Sequence, residues 1–262
     1  MNQKNNTILS FLIQSNMKWI ILAWWFWTRL YPVTKAINKH LLPIYDRPMI
    51  YYPLEILLES WIDKILIVTN PEHIASFVNL LWSGEEFREK YNRKIQIVYA
   101  IQTQPTWIAD GLWMSKDYIW KENCVLLLWD NLFENSKEIK EEIMNFKWWA
   151  TVFVKQVQDP KRFWIAEIDE NWKVLSLEEK PANPKSNYAV TWAYIYDNTC
   201  FDKCVWQPKS ARWEYEITYI NDLYRQEWNL KAVELSWEWL DTWTFDSMLK
   251  ASNFIQTKKN GN

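Results

Sequence analysis

The sequence predicts an α/β protein whose largely parallel sheet carries helices on both faces. Short, continuous apolar runs alternate with longer stretches of helical periodicity through the first 150 residues. Continuous rather than alternating apolar strands are typical of parallel sheets that are buried on both faces. After about residue 150 the pattern changes to β-hairpins, which predicts antiparallel insertions beside the parallel strands. The predicted fold is therefore Rossmann-like, with a mixed sheet.

The first half of the chain repeats a strand–helix unit four times. Its strands are predicted at 18–23, 64–69, 95–101 and 124–128, and its helices at 48–60, 71–81, 108–119 and 136–146. The second half is predicted to hold strands at 150–157, 163–168, 173–178, 188–196 and 230–235, and helices at 214–226 and from 246. Open α/β sheets bind ligands beyond the carboxyl ends of their strands, so we expect a ligand site there.

Composition limits the function classes. With 49% hydrophobic residues the 262-residue chain can form a full core, and a net charge of −2 argues against nucleic-acid binding. The apolar stretch 8–13 is too short to span a membrane, and we expect residues 1–16 to be an upstream extension of a single domain at 17–262. Three cysteines without a Cys-x-x-Cys spacing argue against a zinc site or disulfides and fit a reducing cytoplasm.

One feature of the composition is abnormal, because the chain holds 21 tryptophans and only 3 glycines. A chain of this length ordinarily has about 18 glycines, and turns with positive φ depend on them. The two residue types together reach about the usual abundance of glycine. The counts therefore suggest that most tryptophans occupy glycine positions.

The positions of the tryptophans support this interpretation. Trp172 follows Asn171 between two strand-like runs, where Asn-Gly is the strongest hairpin signal, and Trp61 and Trp228 end helical runs where a glycine is typical. Our hypothesis is that UGA specifies glycine in the source and was translated as tryptophan. Trp239 is a position where a true aromatic residue is plausible. The alternative is a genuinely tryptophan-rich chain, such as a carbohydrate-binding module.

The loop after the first strand is predicted to bind phosphate. With glycine at positions 24, 25 and 27, residues 22–30 read Leu-Ala-Gly-Gly-Phe-Gly-Thr-Arg-Leu, an amide-rich loop that can wrap a triphosphate. Arg29 adds a planar fork for phosphate oxygens. The order of residues differs from that of a P-loop. Taken alone, the same string also fits a tight turn with a solvated arginine.

This string and two that follow it, Asn38-Lys39-His40-Leu41-Leu42-Pro43 and residues 47–54, resemble the N-terminal signature of the sugar-phosphate nucleotidylyltransferases. The resemblance runs from Met17 to about Phe254. The departures are the tryptophans at glycine positions, residues 1–16 and an end at Asn262 that is shorter than usual for the family.

The resemblance implies a GT-A-like nucleotidyltransferase fold and transfer of a thymidylyl group from dTTP to α-D-glucose 1-phosphate. The products are dTDP-glucose and pyrophosphate, in the first step towards sugars of the dTDP-rhamnose type. A uridylyltransferase or another sugar nucleotidylyltransferase is the alternative within this class, and a non-catalytic nucleotide- or sugar-binding regulator is the alternative outside it. The family also implies a cytoplasmic homo-oligomer, often with feedback inhibition, which the shorter end puts in question.

The resemblance also assigns site residues. Arg29 and Lys39 are implied to bind the phosphates and to act in catalysis. Residues implied to bind the nucleotide are Leu22, Ala23, Trp24, Trp25, Trp27, Thr28, Gln104 and Trp107. Gln104 is implied to read the pyrimidine edge, since an amide offers both a donor and an acceptor.

Two carboxylates are implied to bind Mg²⁺. Asp130 ends the fourth apolar strand in a string that reads Leu-Gly-Asp-Asn with glycine restored, and Asp241 lies in Trp-Leu-Asp-Thr. Hard carboxylate oxygens beside a phosphate suit Mg²⁺. Considered alone, Asp130 also fits a helix N-cap or a turn at a strand end. Residues implied to line the sugar-phosphate pocket are Trp164, Glu179, Lys180 and Trp192.

Overall fold

The computed structural model describes residues 17–23, 28–103, 108–128, 130–135, 137–147, 149–205, 207–208 and 215–261. Its main element is a nine-stranded mixed sheet. The parallel strands of its first half lie in the order β6-β1-β4-β5, as the continuous apolar runs predict. Their bounds are β1 Met17–Leu22, β4 Lys64–Thr69, β5 Gln96–Ile101 and β6 Asn123–Leu128.

The second half of the chain extends this sheet, mostly with antiparallel strands. Strand β11 pairs antiparallel with β6, β8 and β9, β9 pairs with β10, and β12 adds a parallel edge to β8. The strands are β8 Ala150–Gln156, β9 Trp164–Ile168, β10 Val174–Glu179, β11 Tyr188–Tyr196 and β12 Leu230–Glu234. The predicted change from parallel strands to hairpins near residue 150 is confirmed.

Two small antiparallel strand pairs are not visible in the sequence pattern, because their strands are only two or three residues long. They are β2 Pro43–Ile44 with β3 Arg47–Pro48, and β7 Asn131–Phe133 with β13 Trp239–Asp241. Strands this short carry no measurable alternation of apolar and polar residues. The second pair joins segments more than a hundred residues apart in the chain and is called the β7–β13 ribbon below.

The helices cover the sheet at the predicted places, with shifted ends. They are α1 Tyr51–Glu59, α2 Ile74–Leu81, α3 Glu85–Tyr91, α4 Ile108–Met114, α5 Lys116–Ile119, α6 Lys137–Asn145, α7 Cys200–Cys204, α8 Ile217–Gln226 and α9 Phe245–Asn260. The helix predicted at 108–119 is two helices that meet at Ser115. Helices α3 and α7 were not expected.

Apolar side chains fill both faces of the sheet. One cluster contains Ile21, Leu57 and Ile67, and the other contains Ile20, Leu126 and Tyr224. Cys124 is fully buried, as predicted. Among the described residues, no helix combines the length and the apolar character that a membrane span requires.

The backbone at many tryptophans has a conformation that favours glycine. Ten non-glycine residues of the described chain have positive φ, and seven of these are tryptophan: Trp61, Trp82, Trp120, Trp149, Trp172, Trp192 and Trp228. After α8, Trp228 N donates to Arg225 O and Asn229 N donates to Tyr224 O, which is the Schellman pattern that glycine usually completes. The same pattern follows α1 at Trp61. The structure thus supports the glycine hypothesis at the turns.

Candidate active site

The candidate site lies where the direction of the sheet connections reverses. Strand β1 is flanked by β4 on one side and β6 on the other, so the carboxyl ends of β1 and β6 border the crevice in which α/β sheets bind ligands. Ala23 follows β1 at this edge, and its carbonyl accepts hydrogen bonds from Asn38 Nδ2 at 3.0 Å and Thr69 Oγ1 at 3.3 Å. These bonds fix the point at which the first loop begins.

Lys39 reaches this crevice from a short 3₁₀ turn, Lys39–Leu41, whose N-cap is Asn38. Its Nζ lies 3.1 Å from Asp130 Oδ2, and the lysine is only 1% exposed. Burial lowers the pKa of Lys39, while the carboxylates of Asp130 and Asp241 act to raise it and Arg29 acts to lower it further. Lys39 and Asp130 therefore form a buried ion pair.

Asp130 and Asp241 are brought together by the β7–β13 ribbon. Asp241 pairs with Asn131, the residue after Asp130, and the backbone N and Oγ1 of Thr242 both donate to the carbonyl of Asp130 at 3.0 Å. Backbone pairing therefore sets the spacing of the two carboxyl-bearing residues. The two residues are therefore neighbours in the structure, and their role in binding a metal stays a prediction.

Arg29 lies in the 3₁₀ turn Thr28–Leu30 and is exposed. Its charge acts on the Lys39 ammonium, which places it in the electrostatic neighbourhood of the ion pair. Leu22 and Ala23 are buried at the end of β1. The predicted nucleotide residues Trp24, Trp25, Trp27, Gln104 and Trp107 lie outside the described residues.

The predicted sugar segment is connected to the β7–β13 ribbon through aromatic contacts. Glu179 pairs with Trp164 across β10 and β9, and the backbone N of Lys180 donates to Phe163 O. The ring centroid of Phe163 lies 5.3 Å from that of Trp239 and 5.9 Å from that of Trp243, which are two positions before and two positions after Asp241. The segment at 179–180 is therefore held, through Phe163, against the β7–β13 ribbon that contains Asp241.

Trp192 lies in this aromatic cluster at an irregular point of β11. Its φ is 63°, the register with β8 shifts between Val190 and Tyr194, and its ring lies 6.2 Å from that of Trp243. A bulge with one residue in the left-handed region usually carries glycine. Glycine at 192 and 243 would remove two rings of this cluster and free the space beside Phe163 that they occupy.

Comparison with known proteins agrees with this geometry. The nucleotidyl transferase family model matches residues 18–258. The chain belongs to the nucleotidyl transferase family.

Two relatives of the nucleotidyl transferase family are similar over most of their length. A glucose-1-phosphate thymidylyltransferase of Neisseria meningitidis is 41% identical over 93% of this chain and 84% of its own. A Bacillus anthracis protein assigned as a glucose-1-phosphate thymidylyltransferase, solved in complex with sucrose, is 40% identical with a TM-score of 0.82 and covers 91% of this chain and 94% of its own. A UDP-glucose pyrophosphorylase has the same TM-score at 20% identity, covering 93% of this chain and 99% of its own, and shows the shared fold.

The two carboxylates fit a magnesium ion that is completed by a substrate. Mg²⁺ commonly takes one or two protein carboxylates together with substrate phosphates and water. Among the described residues, no group of three or more His, Cys, Asp or Glu side chains is arranged to hold a metal alone. Asp130 and Asp241 supply the oxygen ligands that a nucleotidyl transferase would complete with a nucleotide.

Two polar residues at this edge were not predicted. Gln102 is buried just after β5, and its Nε2 donates to Asp110 Oδ2 at 2.9 Å. Asn131 is fully buried beside Asp130. Gln102 directly follows the strand predicted at 95–101, and such a position at a strand end is the signal in the sequence that could have identified it.

His40 is a buried residue that supports the 3₁₀ turn of Lys39. It is 3% exposed, and its Nδ1 lies 2.7 Å from Asn38 Oδ1. Burial, with the nearby Lys39 and His73 charges, lowers the pKa of His40 well below its usual value. His40 is therefore a neutral side chain that holds the turn carrying Lys39.

Proposed function

We propose that this chain transfers a thymidylyl group from dTTP to α-D-glucose 1-phosphate, giving dTDP-glucose and pyrophosphate. The observation that carries the proposal is the convergence of Lys39, Asp130 and Asp241 on one edge of the sheet. It occurs in a chain about 40% identical to glucose-1-phosphate thymidylyltransferases over most of their length.

The reaction needs no protein nucleophile. The sugar phosphate oxygen that attacks the α-phosphorus of dTTP is already ionised at neutral pH, so no general base is required to activate it. The protein contributes positioning for in-line attack and neutralisation of charge on the phosphates. In this chain Arg29 and Lys39 supply the positive charge, and the buried Lys39–Asp130 pair fixes the ammonium of Lys39 in place.

Asp130 and Asp241 are proposed to hold Mg²⁺, which would neutralise charge on the nucleotide phosphates and orient them. Lys39 is proposed to contact the phosphates from the crevice between β1 and β6. Residues 22–28 wrap the triphosphate, and Gln104 with position 107 receives the base. These assignments depend on glycine at positions 24, 25, 27 and 107, where an indole would obstruct the nucleotide.

The sugar phosphate is proposed to bind beside the β7–β13 ribbon, near Asp241. Glu179 accepts hydrogen bonds from the sugar hydroxyls, and Lys180 meets the sugar phosphate. Lys180 has a φ of 41°, an unusual conformation for lysine, and strained residues cluster at ligand sites. Positions 164 and 192 line the pocket as glycines. The cytoplasmic location and the homo-oligomer stay predictions.

A nucleotide panel tests the proposal. The glycine-containing protein is supplied with glucose 1-phosphate, Mg²⁺ and dTTP, UTP, CTP or GTP in turn, and pyrophosphate release is measured. We expect dTTP to give the highest kcat/KM, exceeding UTP by about tenfold or more, because UTP lacks the methyl group of thymine and carries an additional 2′-hydroxyl, and a pocket gains about this much from one methyl group alone. A higher kcat/KM with UTP would favour the uridylyltransferase alternative, and no release with any nucleotide would overturn the proposal.

A further inference from the structure

Asn131 is a buried amide whose polar atoms face the candidate site. It is 0% exposed. Its Oδ1 accepts a hydrogen bond from the indole Nε1 of Trp239 at 2.9 Å. Its Nδ2 donates to Asp130 Oδ1 at 3.0 Å and to Leu128 O at 3.2 Å. Both ends of the amide are thus engaged by groups of known polarity.

These partners allow only one orientation of the amide. An indole N–H can only donate, and an ionised carboxylate can only accept. If the amide were rotated by half a turn, its NH₂ group would face the N–H of Trp239 and its oxygen would face the Asp130 carboxylate. Trp239 and the carbonyl of Leu128, which can only accept, therefore together hold Asn131 with its donor towards Asp130.

The carboxylate of Asp130 is held from two directions. Asn131 donates to Oδ1, and Lys39 Nζ lies 3.1 Å from Oδ2. A carboxylate has about four lone-pair positions, so two remain for a metal ion after these two bonds. Because both donors are buried, the plane of the carboxylate is fixed before any ligand arrives.

We propose that Asn131, oriented by the indole of Trp239, is a positioning residue that aims the Asp130 carboxylate at Mg²⁺ and the nucleotide phosphates. This rests on the proposed function. Groups that orient a metal ligand without touching the metal typically change metal affinity or activity by about 10- to 100-fold when removed. The relay also requires that position 239 is a true tryptophan.

The surroundings of Trp239 differ from those of other buried tryptophans. The indole nitrogens of Trp19 and Trp192 are buried without a hydrogen-bond partner in the described part of the chain, whereas that of Trp239 donates to Asn131. Trp239 also lies in a regular strand, outside the group with positive φ. A glycine at 239 would leave Asn131 Oδ1 without its donor.

The test compares Trp239→Phe, Asn131→Ala and the double variant in the glycine-containing protein. Trp239→Phe keeps an aromatic ring against Phe163 and removes the donor together with one of the two fused rings of the indole. We measure the Mg²⁺ concentration for half-maximal pyrophosphate release, kcat and KM for dTTP, and binding of Mn²⁺ to the protein–dTTP complex by electron paramagnetic resonance. We expect each single variant to raise the half-saturating Mg²⁺ concentration and to weaken Mn²⁺ binding by about tenfold or more. The double variant should be no worse than the worse single variant.

Asn221→Ala is the matched control. Asn221 is also a buried asparagine, 2% exposed, but its Oδ1 accepts from Tyr196 OH on the far side of the core from the site. We expect it to lower thermal stability without changing the Mg²⁺ dependence. A similar change in Mg²⁺ dependence in this variant would show that general destabilisation is responsible and would overturn the proposal.

Three other results would overturn it. One is an unchanged Mg²⁺ and Mn²⁺ dependence in Trp239→Phe, which retains an aromatic ring and the fold. Another is additive effects in the double variant, which would mean that the two residues act separately. The third is glycine at position 239 in peptides from the native host. Because Mn²⁺ binding needs no turnover, it tests the positioning role even if the nucleotide panel refutes the proposed reaction.

Discussion

Replacing tryptophan by glycine at the positions with positive φ should stabilise the protein. Trp120 offers a clear single test, with a φ of 59° and a ψ of −117°, and the side chain is 68% exposed. A residue with a Cβ in this region carries strain of about 1–3 kcal/mol. Introducing glycine also lowers the free energy of unfolding by about 0.4–1 kcal/mol, because glycine gives the unfolded chain more conformational freedom. We therefore expect Trp120→Gly to raise the free energy of unfolding by about 0.5–2 kcal/mol.

The same reasoning applied to all seven positions predicts a large combined effect. Their strain amounts to about 7–20 kcal/mol, which is comparable to the whole stability of an ordinary domain, about 5–15 kcal/mol. Burial offsets little of it at positions such as Trp228, which is 70% exposed. Lys173 lies over that ring, and such a contact is worth about 0.5–1 kcal/mol at an exposed site. The chain with tryptophan at all seven positions is expected to be unfolded or barely folded.

Urea unfolding of single variants measures these effects, and Trp113→Gly is the matched control. Trp113 is an exposed tryptophan inside α4, where glycine should instead cost about 0.5–1 kcal/mol. Opposite signs at positions 120 and 113 are the expected outcome. A loss of stability in Trp120→Gly equal to that in Trp113→Gly would refute the assignment of glycine from backbone conformation.

Two further predictions concern the buried charges of the site. Asp241→Asn should abolish most turnover with little loss of stability. Asp130→Asn should also cost about 3 kcal/mol, because it removes the carboxylate charge that pairs with the buried Lys39 ammonium. Kinetics and urea unfolding of the two variants test this, and an equal loss of stability in both would contradict it. Burial holds the pKa of His40 well below its usual value, so the unfolded chain binds a proton below about pH 6.5 that the folded chain does not, and stability should fall by up to about 1.4 kcal/mol per pH unit as the pH drops. His40→Gln should remove more of this slope than His73→Gln, and equal slopes in the two variants would contradict the prediction.

The parallel half of the fold was predictable because its strands are long and continuous. The run at 64–69 matches β4 residue for residue, and the run at 124–128 misses only the first residue of β6. Such strands are buried on both faces, so every residue contributes to the pattern. Helix ends were less well predicted: α2 begins at Ile74 rather than 71, since Pro71 and its neighbours form turns before the first helical residue.

The pairing of the site could be predicted only through the resemblance to a family. Asp130 and Asp241 lie in separate strings, and local pattern carries no information on contacts between segments so far apart. Strands β7 and β13 are three residues each, too short to show alternation. The burial of Lys39 was also beyond the pattern, because a lysine is almost never fully buried unless it is paired, and its partner lies 91 residues away.

The division of labour in the site follows from how its parts are built. The spacing of Asp130 and Asp241 depends on backbone hydrogen bonds of β7, β13 and Thr242, which tolerate many changes of side chain. A UDP-glucose pyrophosphorylase at 20% identity shares the fold as a whole. In the proposed function, the choice of base and sugar depends instead on side chains and glycines in the loops around these strands. Substitutions at positions 104–107 should therefore change the nucleotide preference. Loss of metal binding should result from substitutions in the β7–β13 ribbon, including Asn131 and Trp239.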